Sequence, residues 1–169
     1  MTKSPFRVLL TGTLLAAGLA GSTGVLAGGD HGKSYSFGEP GAPRHVDRTI
    51  HIAARDMEFG ISTLNVRTGQ TIRFVVTNAG EIGHDFTIGP PRLQAAHRKE
   101  MKAMAANGHR AGMTHDDPNA VYLKPGETKE LIWKFEGAGR LEFACNVPGH
   151  YEAGMKGRLD VVRPRATQG

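Results

Sequence analysis

Cysteine is nearly absent from this 169-residue chain, whose single thiol belongs to Cys145. One thiol excludes an intramolecular disulfide framework, a zinc site made of cysteines alone and an iron–sulfur cluster held by this chain by itself. Aromatic residues are also few, at 7%, whereas the 23 glycines favour turns and short strands. A hydrophobic share of 39% against 22% charged residues fits one globular domain that needs no cross-links.

The apolar run at the N-terminus, residues 8–20, is too short to span a bilayer as a permanent anchor. It follows the positive charges of Lys3 and Arg7, and small or modest side chains precede the point where a signal peptidase would cut. We therefore predict a signal peptide over residues 1–27, cleaved near Ala27. The mature protein is then periplasmic and has no stable membrane anchor.

The excess of positive over negative charge is also small. Removal of the signal peptide lowers the net formal charge from +5 to +3, because two positive charges leave with it. That excess is too slight to predict a nucleic-acid partner, and no interleaving of arginine with aromatic residues supports one. Export bears on Cys145 as well, because an unpaired thiol is a liability in an oxidising compartment unless something occupies it.

The mature chain divides into three parts by composition. Residues 28–48 are rich in glycine, proline and charge and are expected to form a flexible leader. Residues 49–163 form the domain, in which short segments of alternating apolar and polar residues are separated by turns, and residues 164–169 form a frayed tail. The alternation predicts an all-β Greek-key sandwich of seven to eight strands, with one inserted helix over residues 92–107.

Soft metal ligands are concentrated in the loop that follows the strand ending near Cys145. Cys145, His150 and Met155 are separated by four residues each, and Pro148 and Gly149 allow the loop to fold back. Thiolate, imidazole and thioether together suit copper better than calcium or magnesium. The alternative is that these residues bind no metal: a single cysteine in a core commonly acts as a small hydrophobic residue, and a methionine commonly fills space there.

A type 1 copper centre needs a further histidine, because its ligand set is two histidines, one cysteine and a long axial methionine. His84 is the best candidate, since it precedes Phe86 on a strand whose apolar period points inward. The four residues together predict one mononuclear copper site.

These residues resemble the signature of the cupredoxins, the plastocyanin/azurin superfamily of type 1 copper proteins, over the whole predicted domain. The Cys-x4-His-x4-Met loop is similar to that of auracyanin-like members and of periplasmic copper-tolerance cupredoxins. The resemblance implies one copper ion that cycles between Cu(I) and Cu(II). It also implies that the residues following two of the ligands brace the loop through hydrogen bonds. The implied ligands are the equatorial Cys145, His84 and His150 and the weak axial Met155, and the implied bracing residues are Asp85 and Asn146.

Residues 90–119 form a longer insertion than plain plastocyanins carry. On a helix, Leu93, His97, Met101 and Met104 fall on one face. The last three lie three or four residues apart and are neighbours. One interpretation is a second, labile Cu(I) site near these three side chains. The other is an amphipathic helix that caps the sandwich, with methionines filling gaps. The insertion also contains His109, Met113 and His115.

Two functions remain open at this point. The first is electron transfer through the copper site to a redox protein partner, a cytochrome or an oxidase. The second is periplasmic copper tolerance or sequestration, with a copper-handling partner, which the similar copper-tolerance cupredoxins suggest. We predict that the protein is not an enzyme, because multicopper oxidases need His-x-His pairs, which this chain lacks, and one domain cannot supply a trinuclear cluster.

Overall fold

A computed structural model describes residues 35–107 and 117–164. Within these residues the chain forms ten β-strands, one α-helix and a 3₁₀ turn at Pro43–His45. Among them, no helix combines the length and the apolar character needed to cross a membrane. The elements are β1 (Gly38–Pro40), β2 (Arg48–Arg55), β3 (Glu58–Phe59), β4 (Thr63–Arg67), β5 (Thr71–Asn78), β6 (His84–Gly89), α1 (Pro91–Ala106), β7 (Ala120–Leu123), β8 (Thr128–Phe135), β9 (Gly139–Ala144) and β10 (Lys156–Val162).

The strands form two five-stranded sheets, in the orders β1-β8-β5-β2-β3 and β4-β10-β9-β6-β7. Neighbours are antiparallel except for β2 with β5 and β4 with β10, which are parallel. The two sheets pack face to face, and this confirms the predicted β-sandwich. Consecutive strands often change sheet, which is the pattern of crossing connections expected of a Greek key.

The apolar residues that alternate with polar ones in the sequence are buried between the two sheets. On β5, Ile72, Phe74 and Val76 are fully buried, while the residues between them are half-buried. Each such side chain contributes about 1.5–3 kcal/mol through loss of apolar surface from water. Strand β6 differs, because all of its residues are buried on both faces of the sheet. Helix α1 packs against β6 and β9 and covers the outer face there.

Helix α1 begins one residue earlier than predicted, with Pro91 in the first turn, where the missing N–H costs no hydrogen bond. Its buried face consists of Gln94, His97 and Met101, at spacings of three and four residues. Leu93 and Met104, which the sequence placed on the same face, are half-buried, and Gln94 was not predicted there.

The start of the domain differs from the prediction. Residues 28–48 were expected to be a flexible leader, but β1 lies within them and pairs with β8. Phe37 is buried and stacks on Trp133 with ring centroids 5.2 Å apart, so aromatic packing holds this segment to the sandwich. Strands β1 and β3, of three and two residues, are also the ones that exceed the predicted seven to eight. The predicted signal peptide lies outside the described residues, as does the tail beyond Pro164.

Candidate metal centre

Two paired strands bring the predicted ligands together. His84 is the first residue of β6, and Cys145 directly follows the last residue of β9, the neighbour of β6 in the sheet. His150 and Met155 belong to the loop between β9 and β10. The ligands therefore meet at one end of the sandwich.

Backbone hydrogen bonds fold the loop back on the end of β9. The Met155 N–H donates to the His150 carbonyl, and the Cys145 N–H donates to the Met155 carbonyl, both at 3.0 Å. Gly149 has a φ of 91°, in the left-handed region that favours glycine, and this turns the chain toward His150. The loop thus places the backbone of Met155 beside Cys145.

Three donor atoms of the site converge. The Cys145 Sγ lies 3.3 Å from the His150 Nδ1 and 4.0 Å from the His84 Nδ1, and the two Nδ1 atoms are 3.3 Å apart. Metal bonds of about 2.0–2.3 Å place neighbouring donor atoms roughly 3.3–3.8 Å apart. The two distances of 3.3 Å match this spacing, and the 4.0 Å distance exceeds it by a few tenths of an ångström, so the three atoms can surround one ion after a small shift.

The site is sealed from solvent. Cys145, His84 and Met155 are fully buried, and His150 is 6% exposed. Burial raises the pKa of the Cys145 thiol to about 12, and the negative charge of Asp85 acts in the same direction. Burial also lowers the pKa values of His84 and His150. The imidazoles are therefore neutral and ready to bind a cation, whereas the thiol releases its proton when metal arrives.

Asp56 orients the ring of His84. Its Oδ1 lies 3.2 Å from the His84 Nε2, so the Nε2–H donates to the carboxylate and the Nδ1 presents its lone pair to the site. The backbone N–H of Glu81 donates to the Asp56 carboxylate and lowers its pKa, which keeps it charged. Sequence reasoning missed Asp56, because it lies in a turn 28 residues before its partner and no local pattern marks it.

Asp85 joins β6 to the ligand loop. Its N–H donates to the Cys145 Sγ at 3.3 Å, and its Oδ2 accepts hydrogen bonds from the backbone and side chain of Asn146 at 3.2 and 3.1 Å. The hydroxyl of Thr87 donates to the same oxygen at 2.8 Å. The geometry is that of the bracing pair which the resemblance implied for Asp85 and Asn146.

Gln94 connects helix α1 to the same network, and no pattern in the sequence marks this role. Its Oε1 accepts from the Asn146 Nδ2 at 2.8 Å, and its Nε2 donates to the Thr87 carbonyl at 2.9 Å. The inserted helix therefore supports the loop that carries Cys145.

The chemistry of the donor set fits copper. A thiolate, two imidazoles and a buried thioether form the set of a type 1 site, whose soft ligands disfavour calcium and magnesium. The sequence profile of the copper binding proteins, plastocyanin/azurin family, matches residues 46–162. This chain belongs to that family. The cluster of His84, Cys145 and His150 in this cupredoxin fits a type 1 copper site.

Similar proteins support the assignment to the family. The copper-resistant cuproprotein CopI of Pseudomonas aeruginosa is 37% identical over 178 residues, which cover 92% of this chain and 97% of that protein. CopI of Rubrivivax gelatinosus is 39% identical over 169 residues, which cover 93% of this chain and 98% of that protein.

Solved structures of auracyanins share the fold. Auracyanin B aligns with a TM-score of 0.60 and 24% identity, covering 75% of this cupredoxin and 96% of that chain. The dithionite-reduced auracyanin of Roseiflexus castenholzii aligns with a TM-score of 0.58 and 27% identity, covering 69% and 98%.

The residues of the predicted second copper site have different surroundings. Both ring nitrogens of His97 face carboxylates, and its Nε2 lies 3.6 Å from the Asp85 Oδ2. Met101 is buried and Met104 half-buried on the same helix. A Cu(I) site at His97, Met101 and Met104 stays a prediction. His109, Met113 and His115 lie outside the described residues.

Proposed function

We propose that this cupredoxin is an exported copper-tolerance protein that binds one copper ion and holds it in a redox-active type 1 site. The ligands are His84, Cys145, His150 and Met155. The observation that carries the proposal is the buried cluster of one thiol and two imidazoles, whose donor atoms lie 3.3–4.0 Å apart, close to ligand spacing. Relatives named copper-resistant cuproproteins, alignable over more than nine tenths of the chain, support tolerance as the role.

When bound, copper supplies a one-electron couple between Cu(I) and Cu(II). The chain supplies the rest. Asp56 fixes the ring of His84, while Asp85 and Asn146 fix the start of the ligand loop. Ligands held by such hydrogen bonds move little when the charge of the ion changes. Burial also keeps water and outside thiols from the ion, which suits a protein that sequesters copper.

A second candidate, electron transfer to a partner protein, is favoured by the position of His150. This ligand is 6% exposed, and its neighbours Pro148 and Gly149 are exposed, so an electron has a short path to the surface. Lys99 and Lys102 of α1 line a cavity with Pro148 and Gly149. Their positive charge suits a cytochrome or oxidase with an acidic surface around its cofactor.

A complementation experiment tests the tolerance role. A host strain that lacks its own copy of the gene receives the wild-type chain, Cys145→Ser or the exposed control Glu58→Gln, and growth is measured against copper concentration. We expect the wild type and the control to restore growth and Cys145→Ser to fail, with equal amounts of all three in the periplasm. Equal protection by Cys145→Ser would contradict the proposal.

A kinetic experiment separates the two roles. Stopped-flow mixing of the reduced cupredoxin with an acidic cytochrome measures the rate of electron transfer. Rapid transfer that falls with salt and falls further in Lys99→Glu/Lys102→Glu would favour the carrier. Slow transfer whose rate depends neither on salt nor on the lysine substitutions, in a protein that restores copper tolerance, would favour the tolerance role.

A further inference from the structure

A second cluster of metal-ligating side chains lies where helix α1 meets the segment before β7. His97 and Glu100 come from α1, and Asp117 comes from the other segment. One donor atom from each lies within 4.8 Å of the others. We propose that His97, Glu100 and Asp117 bind a divalent first-row cation, at a site separate from the copper centre.

The spacing of the three groups suits an ion. The His97 Nδ1 lies 3.5 Å from the Asp117 Oδ2 and 3.9 Å from the Glu100 Oε2. A tetrahedral ion with bonds of about 2.0–2.2 Å places its ligand atoms roughly 3.3–3.6 Å apart. Asp117 already has this separation. Glu100 lies slightly farther from His97 than this, and its side chain is 63% exposed, so neighbouring side chains leave it room to approach an ion.

The ring of His97 is oriented like that of a metal-ligating histidine. Its Nε2 lies 3.6 Å from the Oδ2 of the buried Asp85, while its Nδ1 faces Glu100 and Asp117. Ligating histidines commonly direct their second ring nitrogen to a carboxylate, which fixes the ring and strengthens the ligand. His97 is only 4% exposed, so packing restrains the ring as well.

A small cavity of about 130 Å³ adjoins these side chains and leaves room for an ion with water. Asn119, which is 1% exposed, lines the same cavity. Its Nδ2 donates to the Ile88 carbonyl at 2.7 Å, which fixes the amide. Its Oδ1 has no hydrogen-bond partner among the residues that the structure describes. An amide oxygen is a fourth donor of the kind that divalent cations accept.

Charge and donor type select the class of ion. Asp85, Glu100 and Asp117 surround one imidazole, so even a protonated His97 leaves a net negative charge that a divalent cation neutralises. Nitrogen and oxygen donors suit Zn²⁺ or Cu²⁺ better than Cu(I), which prefers sulfur. The site is therefore different in kind from the Cu(I) site predicted at His97, Met101 and Met104.

Zinc titration of the full chain by calorimetry tests the proposal. The wild type is compared with Glu100→Gln/Asp117→Asn and with a matched control, Glu58→Gln/Glu81→Gln, which removes the same charge from two exposed glutamates. Every other zinc-binding group contributes equally to all three proteins. We expect the wild type and the control to bind one more equivalent than the first variant.

Equal stoichiometry and affinity in all three proteins would overturn the proposal. The proposal would also be overturned if Glu100→Gln/Asp117→Asn kept its zinc stoichiometry but bound one equivalent less in a Cu(I) titration, because that would indicate a site built on the thioethers. The visible copper band, recorded on the same samples, is expected to be unchanged. Failure of the zinc site is thus distinguishable from failure of the type 1 site.

Discussion

Two histidine clusters lie on either side of Asp85, and they have opposite environments. The copper centre is buried, with neutral imidazoles and a protonated thiol in the absence of metal. In the cluster of His97, Glu100 and Asp117, burial lowers the pKa of His97, but the carboxylates of Asp85, Asp117 and Glu100 outweigh it and raise the pKa above its usual value. The thiol and thioether of the first cluster favour a soft ion, whereas the imidazole and carboxylates of the second favour a harder divalent cation such as Zn²⁺.

The two clusters also differ in which part of the chain builds them. The sandwich strands and the loop between β9 and β10 supply the copper ligands, whereas the inserted helix supplies His97 and Glu100. Asp85 contacts both, through Asn146 on one side and His97 on the other. The comparison predicts that changes at Asp85 affect the whole region and that changes farther out affect one cluster only.

The largest effect is expected for Asp85→Ala. The substitution leaves the buried donors of Thr87 and Asn146 without their acceptor, and it removes the carboxylate beside His97. We expect a loss of about 3–5 kcal/mol in the free energy of unfolding of the metal-free protein, measured with urea. Asp85→Asn, which keeps one acceptor oxygen, is the matched control with a smaller loss. A stability of Asp85→Ala equal to that of the wild type would contradict the bracing role.

A pH titration of stability tests the buried thiol. The pKa of Cys145 rises from 9.0 to about 12 in the folded chain. A raised folded pKa contributes stability that is complete below pH 9 and is lost as the pH rises toward 12. By pH 10.5 the loss reaches about 2 kcal/mol.

The reference for this titration is Cys145→Ser, whose hydroxyl does not ionise in this range. We expect the difference in unfolding free energy between the metal-free wild type and Cys145→Ser to change by that amount between pH 8 and pH 10.5, to the disadvantage of the wild type. A constant difference would show that the thiol is not desolvated.

Asp56→Ala tests how the His84 ring is oriented. The variant loses the carboxylate that accepts from the His84 Nε2. Loss of such a partner weakens metal binding by about 10–100-fold, and we expect the lower end because the Asp56 side chain is 41% exposed. Competition with a Cu(II) chelator measures the affinity. Asp56→Asn, whose amide oxygen still accepts, is expected to recover most of it, and unchanged affinity in Asp56→Ala would refute the orienting role.

The smallest effect is expected for Glu100→Gln. Its side chain is 63% exposed, and an exposed ion pair contributes about 0–1 kcal/mol to stability. Thermal unfolding and the copper spectrum should therefore match those of the wild type. A shifted copper band would show that the two clusters are less independent than their environments indicate.

The sequence predicted the sandwich and the copper ligands for a common reason. Alternating strands and the Cys-x4-His-x4-Met spacing are local patterns, and His84 stands on one such strand. The contributions of Asp56 and Gln94 could not be read in this way, because each acts through a contact 28 or 52 residues distant in the chain. β1 was missed for a similar reason, since Phe37 is held by Trp133 and not by a local period.

The helix shows how a correctly predicted face can still miss a buried polar residue. Residues 92–107 were predicted to be helical, and the helix runs over Pro91–Ala106. The predicted face includes Leu93, which is half-buried and packs against the core, but it omits the polar Gln94. Gln94 is fully buried and forms hydrogen bonds to β6 and to Asn146. A pattern based on hydrophobicity does not detect a buried polar side chain whose partners lie elsewhere.

The most direct test of the copper centre is the visible absorption and EPR spectrum of the purified protein with one equivalent of Cu(II), recorded beside Cys145→Ser. We predict an intense visible charge-transfer band and a narrow copper hyperfine splitting, both lost in the variant, because the Cys145 Sγ binds the ion. A colourless wild-type protein with an ordinary Cu(II) signal would show that Cys145 is not a ligand and would contradict the account.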